Sequence, residues 1–260
     1  MRPRGGLVLQ NDEADPPALL GAWAEARGLP FETCFAPDGG LPVDPGDYGW
    51  IAALGSYHSV NDHGVSWIAA EVDLLERAVE ASVPTLGICF GGQALAVALG
   101  AEVARVEVRR GALGWVDTRA IGPELVPSGR WLYLNVEGFS VPASAELVAE
   151  SRGGPAAFRR GPHVGVQFHP EATAAMAEAW ASRMPDPLSR AGLTLDRLRQ
   201  DGRAHGSAAA RRAFHLFDRW WALRTTPTQG VINMCKTVQR GLISGISATR
   251  PGLHQGEGEG

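Results

Sequence analysis

The sequence predicts an α/β protein: a doubly wound, mostly parallel sheet with helices on both faces and an antiparallel extension. Two observations predict it. Over roughly the first hundred residues, short apolar runs alternate with helical patterns, the mark of strand–helix–strand units. From Glu102 to Gln167 the pattern changes to short strands separated by Gly- and Pro-rich turns, which reads as antiparallel pairing.

The elements follow in order. Gly6–Leu9 reads as a strand. Pro17 to Arg27 reads as a helix, with proline near its start and Gly28 as its stop. Phe31–Ala36 is a second strand, and Trp50–Leu54 a third, apolar throughout as a strand buried on both faces should be. Trp67–Ser82 is a helix with Ile68, Val72, Leu75 and Val79 on one stripe. Pro84–Ile88 is a fourth strand, and Gly92–Leu99 a helix of small residues ending at Gly100. Short strands follow at Glu102–Val108, Leu113–Ala120, Trp131–Asn135, Ala157–Arg159 and Val164–Gln167. Ala172–Arg183 and Ser207–Arg224 are helices, the second amphipathic through Ala210, Phe214, Phe217 and Trp221. Past Thr225 core-forming periodicity fades, and the end reads Gly-Glu-Gly-Glu-Gly. The expected organisation is one domain over residues 1–225 and a C-terminal tail over 226–260, disordered or loosely packed.

Composition narrows the function classes. With 260 residues, 45% hydrophobic and 20% charged, the chain can bury a sizeable core, which excludes wholesale disorder, collagen and a coiled coil. A formal net charge of −4 argues against nucleic-acid binding through a large basic face. Cys34, Cys89 and Cys235 form neither a disulfide framework nor a CxxC pair, which favours a reducing compartment and a cytoplasmic location. No apolar stretch is long enough to span a membrane, and Gly6–Leu9 is too short for the core of a signal peptide. The seven histidines show no metal spacing, and neither a metal nor another cofactor is expected.

The most informative stretch is Pro84-Thr85-Leu86-Gly87-Ile88-Cys89-Phe90-Gly91-Gly92-Gln93. An apolar strand runs into Cys89 and a helix starts just after it. Gly87 and Gly91 flank the cysteine at ±2, as a side chain on a sharp strand-to-helix turn requires. The helix N-terminus favours an anion and so raises the thiolate population. The alternative is a buried structural cysteine, the reading that Cys34 keeps, in a strand without glycines.

A second constellation is Gly165-Val166-Gln167-Phe168-His169-Pro170-Glu171. A nucleophilic thiol needs a base, and the base needs an orienting acceptor. His169 and Glu171 offer both within one short segment; the alternative is a surface histidine beside a helix-capping glutamate. A third is Leu54-Gly55-Ser56-Tyr57-His58-Ser59-Val60-Asn61-Asp62, at the carboxyl end of the third strand. Such loops line the ligand crevice of parallel sheets. A Gly-Ser turn there can aim a backbone N–H at the site, or be an ordinary turn.

The first two segments look like the two signatures of class I (triad) glutamine amidotransferases, and the Gly55–Asp62 loop resembles that family's Gly-Gly-Pro-x-Ser-Val-x-Asp loop. The resemblance covers about residues 5–224, with the motifs in family order, and is nearest to stand-alone GMP-synthase-like glutaminase-domain proteins. It implies a flavodoxin-like sheet carrying a Cys89–His169–Glu171 triad. Cys89 is then the nucleophile toward the side-chain amide of glutamine, His169 the acid and base, and Glu171 its orienting partner. The resemblance also implies an oxyanion hole from the Phe90 N–H and one of Gly55 or Ser56. It places Gln93, Asn135 and Val136 around the amino-acid end of the substrate.

Three departures from the family pattern stand out. Ser56 and Tyr57 replace a glycine and the proline after it. Related members carry His-Gly-Asp where this chain reads Asn135-Val136-Glu137, and Gln-Ala-Phe where it reads Ala156-Ala157-Phe158. Loss of polar partners in a pocket removes hydrogen bonds that discriminate substrates. Three functions are therefore weighed: a glutamine-hydrolysing amidotransferase, a γ-glutamyl hydrolase acting on another γ-glutamyl amide, and a catalytically silent scaffold or regulatory protein. The chain has no GxxxxGK[ST] segment, so the ammonia is expected to be released or used by a separate synthetase.

Overall fold

The computed structural model describes residues 4–106, 113–122 and 125–225. The expected tail, 226–260, lies outside the described residues, as do the last two positions of the expected strand Glu102–Val108. The chain divides into two compact units, Met1–Arg224 and Thr225–Gly260; the elements below belong to the first.

The strands are β1 (Arg4–Gln10), β2 (Phe31–Phe35), β3 (Tyr48–Ala53), β4 (Thr85–Ile88), β5 (Val103–Arg105), β6 (Leu113–Ala120), β7 (Gly129–Leu134), β8 (Glu137–Phe139), β9 (Glu146–Ser151), β10 (Gly154–Arg160) and β11 (His163–Val166). The helices are α1 (Ala18–Ala26), α2 (Ser66–Glu80), α3 (Phe90–Ala98), α4 (Ala174–Ser182), α5 (Pro185–Arg190) and α6 (Leu195–Ala222). Nine strands form one sheet in the order β2-β1-β3-β4-β11-β10-β9-β6-β7, and β5 pairs with β8. The first five, β2 to β11 in that order, run parallel. The remaining four are joined antiparallel, as the change of pattern after Glu102 foretells. The expected fold class holds.

The alternation along the parallel strands explains the two layers of helix. In β1, Val8 faces one core and Leu7 and Leu9 the other, all with no solvent exposure. The Val8 face packs Trp50, Ala52 and Leu86 against Trp23 of α1 and Phe217 and Trp220 of α6. The opposite face packs Ile51 and Ala53 against Leu74 and Leu75 of α2 and Ala94 and Leu95 of α3. Of the adjacent tryptophans, Trp220 is fully buried while Trp221 is partly exposed.

The structure corrects the C-terminal helix. The sequence pattern starts it at Ser207, but α6 begins at Leu195, capped by the Thr194 hydroxyl accepting from the Arg197 N–H at 3.1 Å. Gly202 and Gly206 hide the first turns from a propensity reading. Two ion pairs along the helix, Arg197–Asp201 at 2.9 Å and Asp196–Arg199 at 3.0 Å, accompany this charged stretch. Three elements went unassigned, β8, β9 and α5, each six residues or fewer. Among the described residues, no helix is long and apolar enough to cross a membrane.

One core residue breaks the apolar pattern. Glu71 of α2 is fully buried, and its Oε1 accepts from Asn11 Nδ2 at 3.1 Å. Burial pushes its carboxyl up to about 8, against the Asn11 hydrogen bond. The folded chain therefore keeps Glu71 neutral where the unfolded chain ionises it, so stability falls as pH rises from the ordinary glutamate range to about 8. Glu71→Gln keeps the acceptor and cannot ionise. In urea titrations the variant should match the wild type at pH 4.5 and gain on the order of 3 kcal/mol by pH 8.

Candidate active site

Cys89 sits between β4 and α3 with φ 52° and ψ −107°, outside the regions that side chains normally adopt. Such a conformation costs about 1–3 kcal/mol and persists only where the surroundings impose it. They do so here through close backbone packing. A Cβ on Gly87 would lie 2.3 Å from the Gly91 carbonyl oxygen, and one on Gly91 would lie 2.1 Å from that of Ala53. Removing both side chains lets α3 rest directly on the sheet. The Cys89 N–H donates to Val166 O at 2.8 Å, and the Gly91 N–H to Leu54 O at 3.0 Å. The thiol is thus set at the carboxyl ends of β3, β4 and β11, where parallel sheets bind ligands. The Phe90 N–H opens α3 and belongs to the first turn, which lacks intrahelical acceptors.

His169 follows β11. Its N–H donates to Leu132 O at 2.9 Å, tying it to β7. Its Nδ1 lies 2.6 Å from Glu171 Oε1, and both residues are buried. That engagement leaves Nε2 unused by Glu171, and Cys89 shares a cavity with the ring. Burial alone would lower the imidazole pKa, but Glu171 and Cys89 together outweigh it and hold the ring well above its ordinary value. The ring packs on Trp180, with centroids 4.7 Å apart, and Trp180 Nε1 donates to Ala14 O at 2.7 Å. The alternative readings of Cys89 as an isolated structural thiol and of His169 as a surface residue do not match these positions.

The Gly55 turn is arranged differently from the sequence expectation. Of the three expected oxyanion donors, Gly55 already donates its N–H to Asp15 Oδ2 at 2.8 Å. Ser56 and Phe90 remain. Asp15 was not singled out in the sequence, because the loop Asn11–Pro16 carries no motif spacing. Asp15, His169 and Glu171 are all buried and present polar atoms within 4.8 Å of one another. Three such groups could hold a cation, but the His169–Glu171 hydrogen bond already uses the imidazole Nδ1. Gln167, also unassigned as a site residue, directs Nε2 at Cys89 Sγ at 3.8 Å.

A family model described as glutamine amidotransferase class-I matches residues 57–179. A GMP synthase (glutamine-hydrolysing) of Marinobacter nauticus is 34% identical over 113 residues, covering 38% of this chain and 22% of the relative. The chain thus spans about a fifth of the length of that relative. Two solved structures share the fold. A glutamine amidotransferase from Methylobacillus flagellatus has a TM-score of 0.78 at 24% identity, covering 85% of this chain and 95% of the other. One from Thermotoga maritima has a TM-score of 0.74 at 23% identity, covering 83% and 96%.

The matched segment contains Cys89, His169 and Glu171, while Asp15, Gly55 and Ser56 precede it. A cavity of about 30 Å³ joins Cys89 and His169 with Asp15, Gly55, Ser56 and Trp180. A second, of about 240 Å³, also reaches Cys89 and is lined by Gln93, Asn135 and Val136, the three residues expected around the substrate. Gln93 Nε2 donates to Glu137 O at 3.0 Å and to Gln167 Oε1 at 3.3 Å, and Asn135 Nδ2 donates to Glu137 O at 2.7 Å. Both amides therefore brace the 135–137 backbone.

The raised imidazole carries a sign. A histidine raised on folding adds stability that is full below its ordinary pKa of 6.5 and lost as pH rises through the folded value. In an NMR titration the His169 ring should titrate well above 6.5, and Cys89→Ala should lower its midpoint by removing one of the two supporting partners. An unchanged midpoint would show that the sulfur contributes nothing.

Proposed function

We propose that this chain is a glutaminase of the amidotransferase type, releasing ammonia from the side-chain amide of glutamine through a thioester on Cys89. The observation that carries the reading is the meeting of three features in one place. A cysteine on a strained strand-to-helix turn shares a cavity with a histidine, and that histidine is hydrogen-bonded at 2.6 Å to a buried glutamate. The match of residues 57–179 to the glutamine amidotransferase class-I model supports the same chemistry.

In this reading the Cys89 thiolate attacks the amide carbon and the carbonyl oxygen becomes an oxyanion. The N–H groups of Phe90 and Ser56 stabilise it. Protonated His169 gives its proton to the departing nitrogen, ammonia leaves, and the thioester remains. Neutral His169 then takes a proton from water, which attacks the thioester and releases glutamate and the thiolate. Glu171 holds the ring in the tautomer that points Nε2 at the reacting atoms. Gln93, Asn135 and Val136 line the pocket for the amino-acid end. No metal or other cofactor takes part. The ammonia is passed to a separate synthetase or released, and a cytoplasmic site of action keeps the thiol reduced.

A second reading is hydrolysis of another γ-glutamyl amide. It is favoured by Asn135-Val136-Glu137, which departs from the family pattern at a wall of the larger cavity, and by Tyr57 at the mouth of both. An ammonia- and amine-release assay across glutamine, asparagine and γ-glutamyl amides separates the two. Cys89→Ala should lower turnover of the preferred substrate by about 10⁴-fold or more. A Cys89→Ala protein with full activity would end both readings.

A further inference from the structure

The loops after β1 and β3 flank the point where the strand order reverses, the β1/β3 boundary. Asp15 comes from the first and Gly55 from the second, so the topology brings them together beside the Cys89 turn. The fit is tight. A Cβ on Gly55 would lie 2.5 Å from Asp15 Oδ2 and 3.0 Å from His169 Cε1. The Gly55 amide is therefore clamped between the Asp15 carboxyl and the imidazole.

Among the described residues, two buried oxygens in this cluster have no hydrogen-bond partner: Asp15 Oδ1 and Glu171 Oε2. Each belongs to a carboxyl group whose other oxygen is engaged, Asp15 Oδ2 by the Gly55 N–H and Glu171 Oε1 by His169 Nδ1. Two buried carboxyl groups with oxygens within 4.8 Å of one another repel when both are charged, and one proton on the pair relieves the repulsion. Glu171 is already matched to the imidazole, so the proton falls to Asp15. Burial, followed by the charge of Glu171, pushes the Asp15 carboxyl well above the usual carboxylate range; Asp12 adds to this, while His169 and the Gly55 amide pull the other way.

We propose that Asp15 is a positioning residue of this site, acting as an uncharged carboxyl group that ties the Gly55 turn to the His169–Glu171 couple. The turn carries Ser56, whose N–H is the oxyanion donor in the reaction above, so the role in catalysis rests on that reading. The clamp itself does not. Asp15 touches neither the thiol nor the reacting carbonyl and acts through the turn.

The test compares the full chain with Asp15→Ala and Asp15→Asn, each checked for folding by circular dichroism. Three quantities are read: ammonia release from glutamine, alkylation of Cys89 by iodoacetamide, and hydrogen exchange at the Gly55 amide. Asp15→Ala should lower kcat by about tenfold or more while KM stays within about threefold, since the turn shifts but the pocket remains. Cys89 alkylation should stay within about threefold, because the Cys89–His169 contact needs no oxyanion donor. Gly55 exchange should quicken by about tenfold or more. Asp15→Asn keeps an acceptor without a charge and should recover most of the lost kcat and of the Gly55 protection.

Wild-type kcat and Gly55 exchange in Asp15→Ala would overturn the proposal. So would a folded Asp15→Asn as impaired as Asp15→Ala, which would show that the charge is required. If Asp15→Ala fails to fold, Asp15→Asn decides alone: protection retained at Gly55 supports the clamp and protection lost refutes it. A wild type that releases nothing from any γ-glutamyl amide would refute the proposed reaction, while Gly55 exchange still decides the clamp.

Discussion

The left-handed backbone at Cys89 is the constraint on which the remaining geometry depends. A residue with a side chain stays there only if the segments on either side cannot relax. β4 is paired on both edges, with β3 and β11, and α3 is pressed onto the sheet at Gly87 and Gly91. The strain is balanced by hydrogen bonds that pin both sides of the turn, from the Cys89 N–H to β11 and from the Gly91 N–H to the end of β3. The same closeness that forbids a Cβ at Gly87 points the Cys89 side chain out of the strand plane and opens the first amides of α3 beside it. Packing and site chemistry are here one arrangement.

Charge is handled inside this arrangement by pairing. His169, Glu171 and Asp15 are all buried, and unpaired charges at such depth would cost several kcal/mol each. The charges of Glu171 and Cys89 support the imidazolium, which explains why its pKa rises although burial opposes the charge. In the cluster the imidazole is hydrogen-bonded to Glu171 rather than to Asp15, and Arg183, at the C-terminal end of α4, is bound to Asp12 at 3.0 Å. A buried acid without a hydrogen-bonded cation is neutral where it can be, and Glu71 on α2 shows the same behaviour, its Oε1 accepting from Asn11.

Much of this was legible in the sequence, and the rest was hidden for identifiable reasons. The parallel strands announce themselves as apolar runs because both of their faces are covered. The Cys89 turn is legible because close helix–sheet approach demands glycine at fixed spacing, a requirement written in the chain itself. β9 escapes notice because its alternation is blunted: Glu146, Leu147, Val148, Ala149, Glu150 and Ser151 place three apolar residues side by side, only Val148 and Ala149 being buried. The first turns of α6 escape because Gly202 and Gly206 have poor helix propensity and interrupt the pattern. Asp15 escapes for a deeper reason. Its partner, the Gly55 amide, is 40 residues away and becomes a neighbour only through the sheet order. No local pattern encodes such a contact.

The antiparallel half of the sheet is more than an appendage, because it fixes where His169 stands. The N–H of His169 is held by Leu132 O of β7, and the preceding Phe168 stacks on Trp131 with ring centroids 4.5 Å apart and packs on Tyr133 at 5.8 Å. Tyr133 is in turn joined to β6 through the Thr118 hydroxyl at 2.8 Å. Glu171 is anchored from the other side, its carbonyl accepting the Leu19 N–H of α1 at 3.0 Å. The cysteine is thus placed by the parallel strands, the histidine by the far end of the antiparallel ones, and the glutamate by the first helix. Three independent parts of the fold converge on one cavity, so a shift in any of them misaligns the imidazole and the sulfur. Reaching such convergence needs long-range contacts formed together, which is the physical reason that a short motif such as His-Pro-Glu has meaning only inside a completed fold.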